Sequence, residues 1–116
     1  MKSPQEFPKL FFCCHPVDMR KQMASLATYV EQNLERDPFD KCLYIFANRR
    51  RDLMKMLYWD ETGFAMWSKK LDKARFPWPR QTNKKLWVLT SSELRLLLKG
   101  IDFFKRHESL NYKKLT

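Results

Sequence analysis

LYIFANRRRDLMKMLYWDETGFAMWS, residues 43–68, is the stretch on which the architecture turns. Its first five residues, Leu43–Ala47, are apolar without interruption and rich in aromatic and β-branched types, the composition of a buried strand. The basic corner Asn48–Asp52 follows. Leu53–Trp59 then sets Met54, Met56 and Tyr58 on one face and Leu53, Lys55, Leu57 and Trp59 on the other, as a strand requires. Asp60-Glu61-Thr62-Gly63 is turn chemistry, with Gly63 expected to take the positive φ of a tight hairpin, and Phe64–Ser68 forms a third run. Three such runs predict an antiparallel meander.

Working upstream, Leu10–Cys14 reads as another short buried strand, closed by His15-Pro16. From Asp18, Met19, Met23, Leu26, Ala27, Val30 and Leu34 recur at helical spacing, so a helix is expected over 18–35. Asp18 would serve as its N-cap or first-turn acid, and Asp37-Pro38 would stop it. Residues 1–9, punctuated by Pro4 and Pro8, read as a loosely held leader. Downstream, Lys69–Phe76 has the makings of one or two helical turns, and Pro77-Trp78-Pro79 is extended. Leu86–Leu89 is a last strand. Thr90-Ser91-Ser92-Glu93 is a capping box ahead of Leu94, Leu97, Leu98 and Ile101, with Gly100 near the end of that helix. Residues 103–116 form a basic C-terminal tail. The expectation is an α+β domain over 10–102: an antiparallel sheet of four or five short strands packed against helices 18–35 and 91–100.

Composition narrows the class. The 116 residues are 44% hydrophobic and 15% aromatic, which excludes a disordered chain. The longest apolar runs, Leu10–Cys14 and Leu86–Leu89, fall far below the roughly 18 residues of a membrane span, and no secretory signal is visible. A soluble, cytoplasmic protein is expected. Cys13, Cys14 and Cys42 make an odd set without a Cys-x-x-Cys pair, so buried reduced thiols are expected rather than disulfides. A zinc site on these thiols and His15 is the alternative, without support from local spacing.

Charge points to a partner. The chain carries 23 Lys+Arg against 13 Asp+Glu, a net +10, and most of the excess lies after residue 60. Lys69, Lys70, Lys73, Arg75, Arg80, Lys84 and Lys85 face only Asp72 within 69–85, and Arg49-Arg50-Arg51 with Lys55 is offset by Asp52. Such clusters attract polyanions, of which nucleic acid is the commonest; a solvated face that keeps the protein in solution is the plainer reading. Trp59, Trp67, Phe76, Trp78 and Trp87 lie among these cations, an arrangement suited to stacking on single strands, although rings on strands are more often core. Chemistry is harder to find. The carboxylates are scattered, Asp60-Glu61 would make at most half a metal site, and neither His15 nor His107 adjoins a nucleophile. Two glycines cannot build a phosphate-cradling loop. No enzyme, cofactor or metal site is expected.

The order Pro16-Val17-Asp18-Met19-Arg20-Lys21, Asp37-Pro38-Phe39, Asn48-Arg49-Arg50-Arg51-Asp52, Lys55-Met56-Leu57-Tyr58-Trp59-Asp60 and Gly63-Phe64 resembles a known group. The match continues through Lys70–Phe76, Trp78-Pro79 and Leu96–Asp102. It is the small accessory protein, called TnpB or the second open reading frame, of the insertion-sequence family numbered sixty-six, distinct from the RNA-guided nuclease that shares that name. Val17, Ser25 and Ala74 stand where that family usually has Thr, Gly and Gly. The resemblance implies a part in bacterial DNA transposition beside a separate transposase subunit that carries the catalytic acids.

Together these readings give a non-catalytic DNA-binding accessory factor. Its expected contacts are Arg49, Arg50, Arg51, Lys55, Lys69, Lys70, Lys73 and Arg75, with Arg20 and Lys21 assisting. The corner and the 69–85 segment would then have to meet in space. The rival is a protein–protein adaptor of the transposase complex that uses its charge for steering. A metal-dependent nuclease is the third class.

Overall fold

A computed structural model describes residues 4–77 and 83–100. The strands are β1 (Leu10–Cys13), β2 (Leu43–Ala47), β3 (Leu53–Asp60), β4 (Gly63–Lys70) and β5 (Leu86–Leu89); the helices are α1 (Met23–Gln32) and α2 (Ser91–Leu98). They form an α+β fold on a single five-stranded sheet of order β4-β3-β2-β1-β5.

The meander β2-β3-β4 is antiparallel, with Tyr44 opposite Leu57 and Leu57 opposite Met66. β5 also runs antiparallel to β1. The pair β1–β2 differs: it is parallel, Leu10 facing Leu43 and Phe12 facing Ile45, so the sheet is mixed although mostly antiparallel. Parallel neighbours need a long crossover, and α1 supplies it. Two unbroken apolar runs on either side of a helix are the pattern of such a unit.

Alternation along β1 and β2 divides the core. Leu10, Phe12, Leu43 and Ile45 face one way, with Met54, Met56 and Tyr58, and receive Leu94 and Leu97 of α2. Phe11, Tyr44, Phe46 and Leu57 face the other way and receive Leu26, Ala27 and Val30 of α1. Both faces are covered, which is why β2 is buried at every position. Phe7, within the stretch read as a leader and just after a 3-10 turn at Pro4–Glu6, is itself core, its ring edge-on to Tyr58 at 5.1 Å.

The first helix is shorter than the 18–35 expected. Asp18 turns its carboxylate onto the Arg20 N–H at 2.9 Å, a local side-chain turn that competes with helix, and Gln22 takes the N-cap position. At the other end Glu35 is left-handed (φ 55°) and the Arg36 N–H returns to the Val30 carbonyl at 3.1 Å. The second helix keeps its capping box, with Thr90 accepting from the Glu93 N–H and Glu93 from the Thr90 N–H. Gly100 follows its C-cap with φ 78°, a conformation glycine adopts without steric cost. The β3–β4 turn departs from expectation: Glu61 (φ 51°) takes the positive φ, not Gly63, and the Thr62 N–H donates to the Asp60 carbonyl. Residues 71–76 form no helical turn either, because their backbone bonds go to the corner before β3.

Candidate nucleic-acid interface

The corner between β2 and β3 is organised by Asn48. Its Oδ1 accepts the N–H groups of Asp52 and Leu53, each at 3.1 Å, and its Nδ2 donates to Asp52 Oδ1 at 2.6 Å. Its backbone N–H closes on the Leu53 carbonyl at 3.1 Å, and its carbonyl accepts the Arg51 N–H at 3.0 Å. Five residues are thereby fixed while Arg49 and Arg50 stay exposed. Arg51 turns the chain with a left-handed backbone, φ 62°, which costs a non-glycine residue about 1 kcal/mol. The Asn48 amide, aided by the charges of Lys70 and Arg50, holds the Asp52 carboxyl below its ordinary value.

The segment after β4 packs onto this corner. The Leu71 N–H donates to the Asp52 carbonyl at 2.7 Å, and the Phe76 N–H to the Arg51 carbonyl at 2.6 Å. Phe76, 1% exposed, anchors the far end of the segment in the core. Between those bonds Asp72, Lys73, Ala74 and Arg75 bulge outward, exposed. Arg50, Lys73 and Arg75 therefore border one shallow hollow of about 290 Å³. The stretch 16–20 closes the other side: the Val17 N–H donates to the Ala47 carbonyl at 3.0 Å. There Arg20, Arg49 and Arg50 border a hollow of about 570 Å³.

The fold thus brings Arg20, Arg49, Arg50, Lys73 and Arg75 to one end of the sheet. Arg51 and Lys70 adjoin them, Lys70 lying opposite Leu53. Arg20 is not a bare charge: one edge of its guanidinium donates to both oxygens of Asp18, Nε to Oδ1 at 3.0 Å and Nη2 to Oδ2 at 2.7 Å. That hydrogen-bonded partnership holds the Asp18 carboxyl down to about 2. Lys55 turns toward the α1 side, where its Nζ donates to the carbonyls of Met19 (2.7 Å) and Lys21 (3.3 Å) and ties the stretch before α1 to the sheet. Lys69 turns to the opposite face, its Nζ bound to the Leu98 carbonyl at the end of α2 (3.0 Å). These two amines act as struts and do not share one plane with the arginines.

The aromatic side chains divide as well. Trp67 and Trp87 pack against the α2-side core, with Lys84 Nζ 5.6 Å from the Trp87 centroid. Trp59 joins Phe39 and Phe64 in a three-ring cluster with centroids 4.9–5.3 Å apart. Trp78, the ring best placed by sequence for stacking, and Arg80 lie outside the described residues, as does the C-terminal tail. Sequence reading missed the Asn48 network and the Phe39 cluster. The signals were present as an asparagine four residues before an aspartate and a phenylalanine directly after Asp37-Pro38.

The cysteines are buried thiols split between two faces, Cys13 and Cys42 under α1 and Cys14 under α2. Burial pushes Cys13 up to about 11 and Cys14 up to about 12, so both remain protonated near neutrality. Among the described residues no three His, Cys, Asp or Glu side chains gather as a metal site would require. No helix among those residues is long and apolar enough to cross a membrane.

The architecture is that of a small α+β domain with a hydrogen-bonded basic corner at one end of its sheet. Comparison with known proteins is more specific: the family model described as IS66 Orf2 like protein matches residues 8–108. The chain belongs to that family, whose members are accessory proteins of insertion-sequence transposition. The uncharacterized protein y4hO of Sinorhizobium fredii (strain NBRC 101917 / NGR234) is 35% identical over 86 residues, 74% of each chain. A second uncharacterized protein of that strain, y4jC, is 28% identical over 103 residues, 89% of this chain and 87% of the relative. No solved structure matches. Of the positions that depart from the family pattern, Ser25 and Ala74 are exposed and neither has a positive φ, so the backbone accepts both without glycine.

Proposed function

We propose that this protein is a non-catalytic accessory factor of insertion-sequence transposition that binds DNA through its basic corner and works beside the separate transposase subunit. One observation carries the reading. Two backbone hydrogen bonds, Leu71 to Asp52 and Phe76 to Arg51, bring Lys73 and Arg75 to the same hollow as Arg50. The corner and the following segment were separate in sequence and are joined in the fold. Arg49 and Arg50 head the contact set, with Arg20, Arg51, Lys70, Lys73 and Arg75 around them and Lys21 flanking. Lys55 and Lys69 support it by fixing loop and helix ends. Guanidinium and ammonium groups on an open surface meet phosphates first, so they position the protein and read little sequence.

Salt titration tests this. About five phosphate contacts on duplex DNA give a log–log slope of affinity against salt near −4.5, and Arg49→Ala with Arg50→Ala should flatten it by about 2. A slope near zero would sink the proposal. Magnesium-dependent cleavage abolished by Asp60→Asn would replace it with a nuclease. Retention of the transposase subunit at high salt without DNA would favour an adaptor that does not need nucleic acid.

A further inference from the structure

A second surface lies at the other end of the β3–β4 hairpin. Beside α1 is a hollow of about 550 Å³ lined by Met23, Ala27, Pro38, Phe39 and Phe64, with Glu31 at its rim. Met23 is 40% exposed and Phe39 51%, large for apolar side chains. Phe39 is nevertheless held in place, with its ring centroid 4.9 Å from Trp59 and 5.3 Å from Phe64. The wall is therefore preformed, and its apolar edge faces solvent.

Glu31, the one charged side chain among the described residues that line this hollow, is opposite in sign to the molecule as a whole, and further acids lie near its wall in the chain. Glu31, Glu35 and Asp37 come from α1 and the connection after it, and Asp60 and Glu61 from the hairpin turn; all five are exposed. The Asp37 carboxylate accepts the N–H of Phe39, a residue of the wall, at 2.9 Å. Lys21 precedes the lining residue Gln22 in the chain and Lys41 follows Phe39 by two residues, while Arg36 is engaged by Asp40 and Tyr44. An apolar trough with an acidic rim selects an apolar stripe flanked by basic residues, the chemistry of a basic amphipathic helix. A second copy fits poorly, because a two-fold pairing through this surface would set these acids against themselves.

We propose that the α1 hollow is the docking site for a basic amphipathic helix of a partner protein, separate from the basic corner. The probe is a fluorescein-labelled synthetic helix of about 18 residues, with leucines at i, i+3, i+4 and i+7 and lysines between, added to the full chain without DNA. Polarisation should saturate in the micromolar range, and a glutamate-for-lysine twin should bind at least about tenfold more weakly. Phe39→Ala and Glu31→Lys, both at exposed positions, should each weaken the lysine probe about tenfold, with the far-UV spectrum and DNA affinity retained. Equal binding of the glutamate twin would overturn the proposal, as would variants that bind as tightly as the parent. A dimer of this chain dispersed by Phe39→Ala would also overturn it, assigning the hollow to a second copy. Because DNA affinity is measured separately, failure here leaves the basic-corner reading standing or falling on its own test.

Discussion

The two ends of the β3–β4 hairpin are stabilised by different forces, and each force leaves a different surface. At the Leu53 end, Asn48 and the bonds from Leu71 and Phe76 saturate the backbone, so arginine side chains are left pointing out of a rigid turn. At the Trp59 end, ring contacts among Phe39, Trp59 and Phe64 do the holding, and apolar surface is what remains exposed. Seven residue steps separate Leu53 from Asp60, roughly 23 Å at strand rise. Polar self-satisfaction makes a charged end; aromatic packing makes a sticky one.

The largest test of this contrast reverses charge at the corner alone. Arg49→Glu with Arg50→Glu should lower DNA affinity more than about 100-fold, some 2.7 kcal/mol, while the helical probe binds as before; polarisation titrations on both ligands check it. Loss of both ligands together would mean that the ends are not independent. Asn48→Ala comes next. It strips the acceptor from the N–H groups of Asp52 and Leu53 and should cost about 2 kcal/mol, read as a lower urea midpoint at unchanged m-value.

The connection toward the aromatic end has its own polar tie. Asp40 accepts from the Tyr44 hydroxyl (2.6 Å), the Cys42 N–H (2.9 Å) and Arg36 Nη2 (2.9 Å), and Arg36 lies 4.3 Å over the Phe11 ring. Partial burial opposes ionisation of Asp40, but these donors outweigh it and hold the carboxyl below its ordinary value. A depressed folded value means that the unfolded chain binds the proton more tightly. The stabilisation is therefore complete above about pH 4 and is lost as pH falls through the folded value. Asp40→Asn should cost about 1 kcal/mol at neutral pH and flatten this acid limb of the stability profile, as urea unfolding across pH would show. The smallest effect is expected at Arg51. Arg51→Gly relieves the left-handed backbone and should raise stability by about 0.5–1 kcal/mol while removing one phosphate contact, so stability and DNA affinity should move in opposite directions.

Much of the fold was legible in the residues because period and turn chemistry are local signals. Leu43–Ala47 and Leu86–Leu89 form the strands their composition indicates, and Thr90 and Glu93 close the capping box their spacing implies. What escaped was set partly by long-range partners and partly by local backbone turns. The parallel pairing of β1 depends on a crossover, whereas the short α1 reflects the Asp18 turn and a left-handed Glu35, and the hairpin turn places its positive φ at Glu61 rather than Gly63. The proposed interface follows the same rule. Arg49 and Arg50 announce themselves as a run, whereas the structural use of Lys55 and Lys69 depends on carbonyls 36 and 29 residues away in the chain. A lysine's charge is visible in sequence; whether a backbone oxygen claims it is not.

The parallel strand β1 has a consequence for how the chain is made. Its four residues lie between β2 and β5, so among the described residues the first strand in the chain is completed on one side only by the fifth. Until residue 89 emerges, Leu10–Cys13 presents an open, wholly apolar edge, the kind that recruits neighbouring chains. Fragments ending before Leu86 should collect as aggregates, because that edge then lacks the strand that covers it in the folded protein.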